Sequence, residues 1–321
     1  MSKLDNTPKW IWCPKPEHRV NQYVDFRREF AIDNVCDAEL LISVDTNFVV
    51  WVNGQFAGTG QFTDYPEKET FSRMDIGHLL QAGKNILAVQ VHYCGVNHFS
   101  HIPCRGGLWY SLNTGGNILF SDSQTLSRVS PSYRQGPLPR ITSQMGFVFE
   151  YESADEDWIS AEYSPGESWV QSAEFGVNPA PVPRPLPMLD VRPRVKHKIA
   201  GQGIFRRNAE NGRTVAEMMQ TDFLSAKRAT ELFCDVNAND EPDGCEVNID
   251  PVKLENTDGA YVIFDLARQE CGLIDLELTA PAGVKVDIAI GEHLADMRVR
   301  SAVGGRNLAS RYITREGHQH F

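Results

Sequence analysis

Two kinds of chemistry can be sought in this sequence: proton transfer between paired carboxyl groups, and recognition of a neutral polyhydroxylated ligand by aromatic rings and hydrogen-bonding side chains. Paired acids work as acid and base only when burial or mutual repulsion drives their pKa values apart. Asp64 with Glu67, and Glu292 with Asp296, are the pairs close enough in sequence to ask this of. Both lie in polar surroundings that suit solvated surface acids, so no catalytic residue is assigned. Glu292 follows a strand-like apolar run, and a structural ion pair with Arg306 or Arg311 is the expected use of its charge.

His92, His98 and His101 lie beside Cys94 and Cys104, and imidazole with thiolate suits zinc and other borderline metals. Structural metal sites show tight paired ligand spacings, which this run lacks, so no metal is expected. His318 and His320 make only half a chelate and receive no role. Phosphate-binding glycine loops, a GxSxG nucleophile elbow and a dinucleotide fingerprint do not occur in the required strand-turn-helix setting, so no cofactor is expected.

Polyol recognition needs a flat aromatic face and fixed donors and acceptors. The stretch 92–110 offers both, and Tyr93, Asn97, His101, Arg105 and Trp109 are the candidate carbohydrate-binding residues. Stacking would fall to Tyr93 or Trp109 and hydrogen bonding to the others. The competing use of these aromatics is core packing, where Trp and Tyr bury large areas.

The elements that must position these residues are strands. The chain has 321 residues, enough for two domains, with 41% hydrophobic and 23% charged residues, as in ordinary globular proteins. A net charge of -11 opposes phosphate backbones and anionic bilayers, so neither nucleic acid nor membrane is an expected partner. The first residues lack the apolar stretch of a secretory signal, and the seven cysteines show no CxxC pair, which together suggest reduced thiols and a cytoplasmic location.

From Tyr23 the sequence alternates apolar and polar residues, and 40–52 continues with β-branched and aromatic types. Asn53-Gly54 predicts a tight hairpin whose return strand starts at Gln55. Further strands are predicted over 86–92, 109–112, 118–120, 146–151, 261–266, 273–278 and 284–290, and one helix within 214–233. The prolines of 178–187 predict an extended connector. The expected fold is therefore all-β: a jelly-roll-like, galactose-binding-like β-sandwich over 8–177, a Pro-rich connector over 178–193, and a second β-sandwich over 194–321, with one short helical insertion.

The ordered set of Lys9-Trp10-Ile11-Trp12, Phe26 to Phe30, Val52-Asn53-Gly54, Gly83-Lys84-Asn85, Arg105-Gly106-Gly107-Leu108, the stretch 139–151, Trp158, Trp169 and Val182-Pro183-Arg184-Pro185 resembles the N-terminal β-domain of bacterial α-L-rhamnosidases. Phe264-Asp265-Leu266, Cys271-Gly272, Ala280-Pro281-Ala282-Gly283, Gly291-Glu292-His293-Leu294 and Arg311-Tyr312-Ile313-Thr314 extend the resemblance to the family's middle β-domain. Two features depart from the family pattern: 208–257 is hard to align with it, and the family's catalytic barrel is absent from this sequence. In that family an (α/α)6 barrel following these domains holds the two carboxylates of an inverting hydrolysis of terminal α-L-rhamnose. The resemblance thus implies a non-catalytic accessory region, inactive alone, with a catalytic barrel expected C-terminal to Phe321 and a rhamnose-containing glycan or glycoside as partner. The surface that would meet the barrel is expected to favour self-association. A stand-alone carbohydrate-binding protein and a purely structural docking region are the alternatives.

Overall fold

The computed structural model describes residues 7–14, 16, 18–176, 180–192, 195, 197–208, 214–226, 249, 254, 256–295 and 298–321. The chain divides into two compact units. The first comprises 1–138, 143–147 and 151–189, and the second 139–142, 148–150 and 190–321.

The strands as far as the connector are β1 (Trp10–Trp12), β2 (Gln22–Ile32), β3 (Ala38–Asp45), β4 (Asn47–Val52), β5 (Gln55–Gly60), β6 (Thr70–Asp75), β7 (Gly83–Tyr93), β8 (Gly107–Thr114), β9 (Asn117–Phe120), β10 (Leu126–Val129), β11 (Glu150–Glu152), β12 (Val170–Gln171), β13 (Ala173–Phe175) and β14 (Val182–Pro183), of which all but β11 build the two sheets of the first unit. One sheet has the order β13-β1-β8-β3-β6-β14, with β9 added to β8, and the other the order β12-β10-β2-β7-β4-β5. Alternate residues of each strand feed the core between the sheets: Leu40, Ile42 and Val44; Phe48, Val50 and Val52; Leu87, Val89 and Val91; Leu108, Tyr110 and Leu112. This period of two is the pleat expressed as burial.

The predicted hairpin forms, with Asn53 at φ 52° and Gly54 at φ 80° between β4 and β5, the left-handed pair that a two-residue turn requires. The Asn53 amide donates to Leu79 O and Asn85 Oδ1, which ties this turn to the start of β7. A side chain at Gly54 meets little but must hold positive φ, so Gly54→Ala is expected to cost about 1–2 kcal/mol, read as a lower urea midpoint at unchanged slope. A midpoint equal to the parent's would show that the turn does not need the left-handed conformation.

The predicted strand over 146–151 appears only as Glu150–Glu152. Within the proline-rich connector, Val182–Pro183 pairs in parallel with Thr70–Phe71 at the sheet edge, and Val182 N–H and Arg184 N–H donate to Glu69 O and Phe71 O. Pro183, without an N–H, is compatible with such an edge position.

The second unit is also built of strands. β15 (Lys198–Arg206) lies between β16 (Phe223–Ala226) and β17 (Gly259–Asp265), β18 (Glu277–Ala280) pairs with Gly317–His320, and β19 (Lys285–Ala289) pairs with Ala309–Ile313. The helix predicted within 214–233 is shorter, α1 (Val215–Thr221), opened by a capping box between Thr214 and Glu217. It ends at Asp222 because Phe223 to Ala226 hydrogen-bond to β15 instead; residues 227–233 lie outside the described residues. Arg311 grips Asp287 through Nε at 2.7 Å and a terminal nitrogen at 3.0 Å, and Arg207 joins Asp287 to Asp222. Arg311 is therefore the partner of Asp287 rather than of Glu292, which is exposed and accepts from Gln269 Nε2 at 3.2 Å.

Candidate functional site

At one end of the first unit, β3 runs into the Asp45-Thr46 corner, β5 continues into the loop 61–69, and β7 continues into the loop 94–106. Asp45 and Thr46 fasten the second loop along its length. Cys94 N–H donates to Thr46 Oγ1 at 3.0 Å and Cys104 N–H to Asp45 Oδ2 at 2.8 Å, so both ends of the loop are held by neighbouring residues of one corner. In the middle, His101 Nε2 lies 3.2 Å from Asp45 Oδ1 and 3.3 Å from Thr46 Oγ1. The Thr46 hydroxyl already donates to Asp45 Oδ1 at 2.9 Å, so both oxygens face the imidazole as acceptors and Nε2 carries the proton.

The loop 61–69 is fixed in the same manner. Asp64 Oδ2 accepts from Thr70 N–H at 2.6 Å, from the Thr70 hydroxyl at 2.8 Å and from Gln61 Nε2 at 3.2 Å. Gln61 Oε1 in turn accepts from Val44 N–H, one residue before the Asp45 corner. Burial pushes the Asp45 carboxyl up to about 6, the nearby Asp64 charge adding to it against the Cys104 and Thr46 hydrogen bonds. Burial also raises Asp64 and lowers His101, whose cationic form Asp64 partly restores. At neutral pH the corner thus carries two carboxylates and an uncharged imidazole.

The five residues singled out in the sequence are not equivalent. Tyr93 closes β7, donates from its hydroxyl to Cys104 O at 3.0 Å and packs edge-on to Trp12 at 6.2 Å, so its ring is part of the wall under the loop. Trp109 is only 8% exposed and stacks on Phe71 at 6.1 Å. Arg105 is exposed, with its guanidinium 4.0 Å over the Phe175 ring, and Asn97 is exposed on the loop. His101 is the one that meets the Asp45-Thr46 corner, and it lies within the electrostatic reach of Asp64. Sequence reasoning missed Asp45, Thr46 and Gln61 and set Asp64 aside as a solvated surface acid, whereas it is half-buried and bonded to Gln61 and Thr70; it also missed Tyr65 and Phe99, which are 63% and 80% exposed. An aromatic residue flanked by polar neighbours in a loop, as in Asn97-His98-Phe99-Ser100, was the available signal for the last of these.

Among the described residues no three His, Cys, Asp or Glu side chains converge as a metal site. Asp296, half of one acid pair considered above, lies outside the described residues. The corner can therefore fix two loops and offer hydrogen-bond acceptors beside exposed rings.

No family model matches the chain, and no curated protein matches it in sequence. In fold it is similar to the GH78 family rhamnosidase of Bacillus sp. GL1, with a TM-score of 0.74 and 18% identity over 98% of this chain and 51% of that one. It is also similar to the α-L-rhamnosidases of Aspergillus terreus, TM-score 0.61 at 15% identity, and Dictyoglumus thermophilum, TM-score 0.60 at 14% identity. These matches cover 98% and 99% of this chain but 32% of either of those chains. The expected resemblance is met at the level of fold: the chain has the fold of part of an α-L-rhamnosidase chain, spanning half the length of the Bacillus protein.

Proposed function

We propose that this chain is the non-catalytic, accessory β region of an α-L-rhamnosidase-like glycoside hydrolase, whose whole protein cleaves terminal α-L-rhamnose with inversion on a separate (α/α)6 barrel. The supporting observation is the correspondence of 98% of this chain to only 51% of the Bacillus rhamnosidase. Three buried carboxylates agree with the reading, because each is committed to internal partners: Asp25 to Arg128 and Gln90, Asp45 to Cys104 and Thr46, Asp222 to Arg207. A carboxylate so engaged is a poor donor or acceptor for a glycosidic oxygen and water, which inverting hydrolysis requires on opposite faces of the sugar.

The test is release of p-nitrophenol from its α-L-rhamnoside by the purified chain. No release above buffer is expected. Turnover that stays with the protein through successive columns would overturn the non-catalytic assignment.

A carbohydrate-contact role for the first unit is a second reading, favoured by one observation: the exposure of Tyr65 and Phe99 on two loops fixed to the same corner.

A further inference from the structure

We propose that Tyr65 and Phe99 form a sugar-contact surface at the Asp45 end of the first unit, receiving the apolar face of a neutral pyranose while Asp64 accepts from its hydroxyls. This rests on the carbohydrate-contact reading above and moves it away from Tyr93 and Trp109, whose rings already serve the wall and the core.

Three features carry the assignment. First, the exposures are extreme for aromatic side chains, 63% for Tyr65 and 80% for Phe99, although each ring forfeits the large area it would bury inside. Second, the loops that present them are held rather than loose. The loop of Tyr65 is anchored through Asp64 and Gln61 to Thr70 and Val44, and that of Phe99 through Cys94, His101 and Cys104 to Asp45 and Thr46. A surface fixed before the ligand arrives avoids the ordering cost that weakens binding by flexible loops. Third, among the described residues the three hydrogen bonds to Asp64, the residue preceding Tyr65, fall on Oδ2, which leaves Oδ1 to accept from a ligand. Two carboxylates at the corner oppose anionic ligands and favour a neutral polyol, whose hydroxyls donate and whose ring C–H face stacks on an aromatic plane.

The probe is L-rhamnose, titrated into the full chain by calorimetry and followed in parallel by ligand-observed saturation-transfer NMR. Saturable binding is expected, weakened about 3- to 10-fold by Tyr65→Ala or by Phe99→Ala and lost when both are replaced. Phe56→Ala removes an aromatic that is 43% exposed at the far, hairpin end of β5, and is expected to bind as the parent does. Circular dichroism and the urea midpoint of each variant report whether the sandwich is intact. If rhamnose binds and both loop variants leave the affinity unchanged, this surface is wrong while carbohydrate contact stands. If the parent shows neither heat nor saturation transfer, carbohydrate contact and this surface fall together. The accessory assignment is decided separately by the turnover assay.

Discussion

Arg128→Met is expected to destabilise the first unit by about 3–5 kcal/mol, because it strands a carboxylate inside the protein. Asp25, Arg128 and Gln90 lie directly across from one another on β2, β10 and β7, a row of three on the face of the sheet opposite the core. Arg128 Nε donates to Asp25 Oδ2 at 3.1 Å, Gln90 Nε2 donates to Oδ1 at 2.9 Å, and Asp25 is wholly buried. Segment 153–169 covers this face. Arg27 holds it by donating to Trp158 O, Ser160 O and Tyr163 O, and Trp158 packs against both Trp51 and Trp169. Burial raises the Asp25 carboxyl even with the Arg128 cation beside it, so without that cation the group must take up a proton or bring in water. Methionine keeps much of the packing against Trp169, over which the guanidinium sits at 4.5 Å, so the measured loss reports charge more than volume. Adding Asp25→Asn is expected to return part of the stability, since the stranded charge is then gone. Urea midpoints decide this; a single variant within about 1 kcal/mol of the parent would mean that the pair is not what holds the row.

That row also marks the limit of what the sequence discloses. The strands of the first unit were legible because Leu40 to Val52 and Ile86 to His92 alternate with the period of a pleated surface, and because Asn53-Gly54 allows essentially one short turn. Neither signal says which strand lies next to which. Asp25 and Arg128 are 103 residues apart, and Asp45 and His101 are 56 apart. Such partners meet only through sheet register, which is set by the whole core. The candidate site was legible for the same local reasons and stopped at the same point: the loop 94–106 could be identified as polar and aromatic, but the corner that fastens it could not. Trp109 shows the ambiguity in its simplest form. A tryptophan at the start of a strand after Arg105-Gly106-Gly107 is equally compatible with a stacking platform and a core plug, and only Phe71, from a strand far off in sequence, decides for the core. The helix was overextended because the apolar residues of 223–226 fit helical spacing as well as strand alternation. Pairing with β15, a tertiary effect, settles the outcome.

The corner makes the stability of the first unit depend on pH in two opposed ways, which single variants can separate. His92 stacks on Tyr23 at 4.4 Å, and its Nε2 lies 3.0 Å from Asn21 Oδ1. The Asn21 amide nitrogen donates to Gly136 O, so Oδ1 is the acceptor and the imidazole is the neutral Nε2–H form. Burial lowers its pKa to about 4, with smaller contributions from His101 and His98, against 6.5 for an exposed histidine. A depressed folded-state pKa contributes stability that is fully present above pH 6.5 and is lost as the pH falls through 4. Its size is at most about 3 kcal/mol. Asp45 has the opposite sign: with its carboxyl raised to about 6 from 3.8, it contributes stability that is full below 3.8 and lost as the pH rises through 6. Between pH 4 and 6 the two slopes oppose each other, and the parent's own profile is expected to be flatter than either. The stability advantage of the parent over His92→Gln should shrink as the pH is lowered from 7 to 4, whereas its advantage over Asp45→Asn should grow across the same range. Urea melts of the three proteins at closely spaced pH values test both signs. Parallel profiles for parent and His92→Gln would mean that His92 titrates in the folded protein as it does in the unfolded chain, and that burial does not hold the ring uncharged.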